Sequence, residues 1–187
     1  MTLTIGQKLY YTGRGPCLLR AEVQKVVCGA PAQFYSFSLL DDNGAEFFVP
    51  VGTASELPLR PLLLRRDILK LLKRLKTRVG PTRELANWQQ RKSASSKLFS
   101  SGSAFDLADT IESLMRSSCT RNLAMDEWQT LRRARNLLIC EIAEVMNESR
   151  SAAESRFDSA ADAGDKMRRK LQGKNSFVTP VSGRDNA

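Results

Sequence analysis

Between Arg60 and Ser100 the chain holds 12 lysines and arginines against 2 acidic residues. The whole chain carries +9, while residues 1–59 sum to −1, residues 101–163 to −4 and residues 164–187 to +4. The basicity is therefore local. A concentrated cationic patch attracts polyanions and neutralises phosphates. Within it lies Asn87-Trp88-Gln89-Gln90-Arg91, with Lys92 and Lys97 following. An aromatic ring stacks on unpaired bases, or wedges beside them, while cations hold the backbone. Trp88, Arg91, Lys92 and Lys97 are thus candidate nucleic-acid contacts. Tryptophan is also a frequent core residue, so covering a helix–helix junction is the competing reading of Trp88.

Other chemistry is poorly supplied. The chain has no histidine, which removes the usual general base and triad partner. The basic region offers only Asp67 and Glu84, too few carboxylates for a metal-dependent nuclease. Cys17, Cys28, Cys119 and Cys140 are not at CxxC spacing, so they read as small buried hydrophobes rather than zinc ligands. No enzyme activity, metal or cofactor is expected. No run of about 18 apolar residues marks a membrane span, and the N-terminus lacks the basic start and apolar run of a signal peptide. A cytoplasmic, nucleoid-associated monomer is expected.

The elements that must position these residues are legible as an α+β chain. Residues 1–61 read as short strands joined by turn clusters. Lys8–Tyr11 ends at Thr12-Gly13-Arg14-Gly15-Pro16, Cys17–Val27 stops at Cys28-Gly29-Ala30-Pro31, and Phe34–Leu40 meets the hairpin signal Asn43-Gly44. So many strands in so few residues predict a small antiparallel barrel. This unit is nearly neutral, which makes a protein its expected partner. Residues 62–163 read as a helical bundle. Ile68, Leu71, Leu72 and Leu75 share a helix face behind an Asp67 cap, and that helix ends before Gly80-Pro81. Asn87 caps a second helix, placing Trp88 at a helix start where backbone N–H groups favour phosphate. Ser103-x-x-Asp106 opens a third, and a long helix runs from Met125 to Met146. Trp128 joins its apolar stripe and reads as core. Arg132, Arg133 and Arg135 form a basic face that matters if the fold sets it beside Trp88. Glu141, Glu144 and Glu148 read as a solvated acidic stripe. Ser151-x-x-Glu154 caps a last helix to about Ala163, and residues 164–187 read as a disordered basic tail.

These residues resemble the CarD/CdnL family of bacterial transcription regulators. The stretches concerned are Ile5-Gly6-Gln7-Lys8-Leu9-Tyr10-Tyr11, Gly15, Gln33-Phe34-Tyr35 and Phe48-Val49-Pro50-Val51. They continue with Asn87-Trp88-x-x-Arg91 and Leu131-x-x-Ala134-Arg135-x-Leu137-Leu138 leading into Glu141. The resemblance implies a Tudor-like N-terminal barrel that docks on the RNA polymerase β subunit. It implies a helical module that contacts promoter DNA at the upstream edge of the bubble, with Trp88 as a minor-groove wedge, and a longer-lived open complex as the effect. Polymerase-facing basic positions of the family fall on Lys25, which keeps the charge without the arginine fork, and on Phe48, which does not. An RNA- or ribosome-associated binding protein is the alternative, distinguished by what copurifies.

Overall fold

The computed structural model describes residues 3–41, 44–77 and 98–175. Five strands come first: β1 (Lys8–Tyr11), β2 (Gly15–Val27), β3 (Ala30–Leu39), β4 (Glu46–Pro50) and β5 (Leu59–Pro61). They form one antiparallel sheet in the order β4-β3-β2-β1-β5. Helices follow: α1 (Arg65–Thr77), one helical turn at residues 98–101, then α2 (Ala104–Thr120), α3 (Met125–Met146) and α4 (Arg150–Asn175). The chain is α+β, with the sheet N-terminal to the helices.

Among the described residues the sheet is not closed into a barrel: β4 and β5 each pair with one neighbour. The connection between them is a 3-10 turn, Val51–Glu56, whose Ala54 enters the sheet core with Leu9, Cys17, Leu19, Phe37 and Val49. Stacked rings extend that core: Phe37 on Phe47 at 5.1 Å and Tyr11 on Phe47 at 5.3 Å. The β2–β3 hairpin is longer than its turn residues suggest. Cys28 and Gly29 both take positive φ, 52° and 80°, the two-residue geometry whose twist matches the flanking strands. β3 therefore starts at Ala30 instead of Phe34, and Pro31 pairs with Val26 at its beginning, where a missing N–H is tolerated. From Glu22 onward β2 is mostly exposed, so the hairpin projects past the core as an arm.

The helical core forms where the periodicity placed it. Ile68, Leu71, Leu72 and Leu75 of α1 meet Leu107 and Ile111 of α2, Leu131, Leu138 and Ile142 of α3, and Phe157 of α4. Ser103 caps α2 as its spacing predicts, its Oγ accepting the Asp106 N–H at 3.2 Å. α3 spans Met125–Met146 and stops at Asn147, whose φ of 55° is the left-handed conformation common at helix ends. Gly80-Pro81 and the Asn87 cap lie outside the described residues, as does Asn43.

Several expectations are corrected. α1 begins at Arg65, so Asp67 sits in the first turn rather than at the cap; there it still favours the helix dipole. α4 begins at Arg150 because Ser149, not Ser151, accepts the Ala152 N–H at 3.2 Å. It continues past Ala163 to Asn175. Gly164 costs a helix only about 1 kcal/mol relative to alanine, and the Lys- and Arg-rich stretch after it forms helix well. Trp128 is 54% exposed. It lies on the expected face but in the first turn of α3, and the buried stripe begins one turn later at Leu131. Cys17 and Cys140 are buried as expected, whereas Cys28 and Cys119 are exposed: one sits in the hairpin turn, the other at the end of α2.

Candidate nucleic-acid interface

The basic region frames a segment whose own residues lie outside the described chain. Trp88, Arg91, Lys92 and Lys97 belong to it. Its two flanks are defined. α1 leads in, with Arg65, Arg66, Lys70, Lys73, Arg74 and Lys76 exposed and Leu75 buried at the far end. The turn at 98–101 leads out, with Leu98 buried in the same core. Some of the charge on α1 is engaged locally, Lys70 by Asp67 at 3.0 Å and Arg74 by Asp109 at 2.7 Å.

The three arginines of α3 do not form one surface. Arg132 is exposed. Arg133 donates to the Gly13 carbonyl at 2.8 Å and lies over the Phe99 ring at 4.4 Å, which ties α3 to the β1–β2 turn and to the end of the basic region. Arg135 faces α4 and is held by Glu154 at 3.0 Å and Asp158 at 2.7 Å. Residues 132 and 135 are only about 60° apart around the helix; what separates them is that Arg135 is bound by Glu154 and Asp158 of α4, whereas Arg132 stays on the exposed side. Trp128, four residues before Arg132, joins the exposed side. Its position in the stripe concealed this, since a first-turn residue can share a face with the core and still clear it.

On the sheet, Lys25 and Phe48 are brought together. Lys25 Nζ stands 3.0 Å from the Phe48 ring centroid, a cation–π contact. Phe48 is 39% exposed and Val26, at the arm's tip, 74%. Phe48 lies on β4, whose outer edge has no strand partner among the described residues.

The two halves of the chain meet at a buried ion pair that the sequence reading misassigned. Glu141 is not a solvated side chain; it is fully buried. Its carboxylate receives the Arg60 guanidinium through two bonds of 2.6 and 2.8 Å and accepts the Leu63 N–H at 3.0 Å. The signal was present: Glu141 falls seven residues after Ala134 and three after Leu138, on the apolar stripe. Arg60 also donates to the Gly102 carbonyl at 2.8 Å and covers the Tyr10 ring at 3.8 Å. Gly102 takes a φ of 64°, and a Cβ there would collide with Thr12, so glycine is required. Tyr10 is fully buried and its hydroxyl has no hydrogen-bond partner among the described residues. Burial, and secondarily the Glu141 charge, raise its pKa well above the phenol range, while Arg60 opposes the shift. Of the other two acidic residues, Glu144 pairs with Lys8 at 2.7 Å and Glu148 with Arg156 at 2.8 Å. The Glu148 carboxyl is held below its ordinary pKa chiefly by the Arg156 hydrogen bond.

Among the described residues no cluster of three or more His, Cys, Asp or Glu side chains could hold a metal ion. No described helix is long and apolar enough to cross a membrane. Residues 70–158 match the family model described as the C-terminal domain of CarD. That span contains all seven candidate nucleic-acid contacts, from Trp88 to Arg135, and most of the helical core. This match, over just under half of the chain, supports membership of the CarD/CdnL family.

Proposed function

We propose that this protein is a non-enzymatic regulator that fastens to the RNA polymerase β subunit and prolongs the promoter open complex. The observation that carries the reading is the match over residues 70–158, which encloses Trp88, Arg91, Lys92, Lys97, Arg132, Arg133 and Arg135. In this reading residues 1–61 are a Tudor-like docking unit and residues 62–163 the DNA-contacting unit. The open edge of β4, with Lys25 and Phe48 beside it, suits strand addition by an extended segment of a partner. A cation–π pair takes the place of two separate cations there, so the contact is more apolar than a pair of basic residues would make it.

Trp88 inserts at the upstream fork of the bubble, where re-annealing needs the space that the ring occupies. Arg91, Lys92 and Lys97 neutralise phosphates beside it. Arg132 is the most available cation of α3, with Arg133 and Arg135 fixing the helix that presents it. About 1.4 kcal/mol of differential binding to the open state shifts its population tenfold. Base-specific readout is unnecessary, because tethering to polymerase raises the local concentration of a weak DNA binder.

The test is the lifetime of a promoter open complex with the wild-type protein and with Trp88→Ala. The variant is expected to return the lifetime toward that of polymerase alone. Equal lifetimes, with the variant folded, would remove the wedge. Arg91→Ala or Lys97→Ala should lower the steepness of log K against log salt; an unchanged slope would put the phosphate contacts elsewhere.

A further inference from the structure

A cleft of about 510 Å³ lies where the β1–β2 turn meets α3. Its walls carry four guanidinium groups, from Arg14, Arg132, Arg133 and Arg150, against one carboxylate, Asp41. Pro16 and Leu137, both buried, line its floor. Arg14 belongs to the sheet and the other three arginines to the helices, so the cleft exists only because the two halves are docked. That docking is specific. Arg133 holds the Gly13 carbonyl at 2.8 Å, and Leu137 lies against the backbone of Gly15. The bond at Gly13 fixes the turn from which Arg14 projects. Arg14 rests near the Tyr11 and Phe47 rings, 5.7 and 5.8 Å from their centroids.

Like charges gathered around one recess repel; Arg133 is engaged by the Gly13 carbonyl and Arg150 by Cys140 Sγ at 3.5 Å, so the exposed Arg14 and Arg132 are the groups best placed to receive an anion. A bound anion relieves the repulsion. Guanidinium groups present planar forks that match phosphate oxygens two at a time. Groups supplied separately by the β1–β2 turn and by α3 suit an anion with more than one charged group, and the volume lies within the ordinary range for small-molecule sites. A recess floored by buried apolar residues admits a compact ligand, whereas a duplex backbone meets an exposed ridge more readily. We infer that this junction cleft binds a small oligophosphate, a molecule carrying two or more linked phosphate groups. Binding there would also favour the docked arrangement of sheet and helices.

The probe is sodium tripolyphosphate, titrated calorimetrically into the full chain at constant ionic strength, without DNA or polymerase. One saturable site is expected, weakened at least tenfold by Arg14→Gln and by Arg132→Gln. Both side chains are exposed, so both variants should melt as the wild type does. Lys73→Gln, on the exposed face of α1, should leave the affinity unchanged. The inference is overturned by the absence of saturable binding, by unchanged affinity in Arg14→Gln, or by equal weakening in Lys73→Gln. It is also overturned if the arginine variants weaken a short DNA duplex while tripolyphosphate does not bind, which would assign the cleft to the DNA surface. Because the titration omits DNA and polymerase, its failure leaves the open-complex test untouched.

Discussion

Replacing Glu141 by alanine tests whether the sheet and the helices are locked by one buried ion pair. The carboxylate is fully buried, and the Arg60 side chain is 24% exposed. Removing one partner of such a pair strands the other, at a typical cost of 3–5 kcal/mol. Here the loss also leaves the Leu63 N–H without its acceptor, so the upper half of that range is expected, about 4–5 kcal/mol. For a chain of this length that lowers Tm by on the order of 10 °C or more. Arg60→Ala should cost a similar amount, because it leaves a buried carboxylate uncompensated. The double change Arg60→Met with Glu141→Leu should recover much of the loss, since an apolar pair of similar volume avoids the desolvation of two charges. Urea unfolding followed by circular dichroism gives the energies, and a double-alanine cycle isolates the coupling. A coupling of at least about 2 kcal/mol is expected. Additive single effects, or a loss below about 1 kcal/mol for Glu141→Ala, would show that the pair does not bear on stability.

Three further outcomes follow from burial. Tyr10→Phe removes a buried hydroxyl with no partner among the described residues, so it should leave the protein as stable or raise stability by about 1 kcal/mol; a loss above 1 kcal/mol in urea unfolding would mean that the hydroxyl is satisfied. Trp128→Ala should cost under about 1 kcal/mol, against the 3–5 expected of a core tryptophan, because the indole is more than half exposed; thermal melting decides. In the folded protein at neutral pH, Cys28 and Cys119 should react quickly with a chromogenic disulfide reagent and Cys17 and Cys140 slowly. Burial pushes the Cys17 thiol up to about 12, so it holds almost no thiolate there; four equally fast thiols would contradict the burial.

What the sequence disclosed and what it concealed divide along physical lines. The α1 stripe and the Ser103 cap were legible because each depends on residues within one or two turns of each other. The strands were legible through their turn residues, although the hairpin arm ran longer than Pro31 suggested, since a proline at a strand's first positions loses little. Glu141 was misread because charge is taken as a sign of solvent, while a carboxylate on an apolar stripe is one that has found a buried partner. Its partner, Arg60, lies 81 residues away, and no local pattern couples them. Trp128 failed for the opposite reason: its periodicity was right, but periodicity fixes a direction and not whether anything stands there. The junction cleft was out of reach altogether, because Arg14 and Arg132 become neighbours only through the docking of two units read separately.

The buried pair also bears on the segment that carries Trp88. Glu141 holds the Leu63 N–H, just before α1 leads into that segment. Arg60 holds the Gly102 carbonyl, just after the chain returns from it. One guanidinium–carboxylate pair thus fixes both the approach to residues 78–97 and the exit from them, and the buried Leu75 and Leu98 secure the nearer ends in one core. A wedge at a DNA fork is useful only if its recoil is resisted, since otherwise the re-annealing strands would displace it at little cost. In the reading proposed above, that resistance would come from the junction with the sheet, where Arg60 and Glu141 meet. Force on the indole would pass through Leu63 and Gly102 into Arg60, the middle residue of β5, and from there into the sheet. If the proposed wedge acts as described, the gain in open-complex lifetime should depend on this buried pair as well as on Trp88 itself.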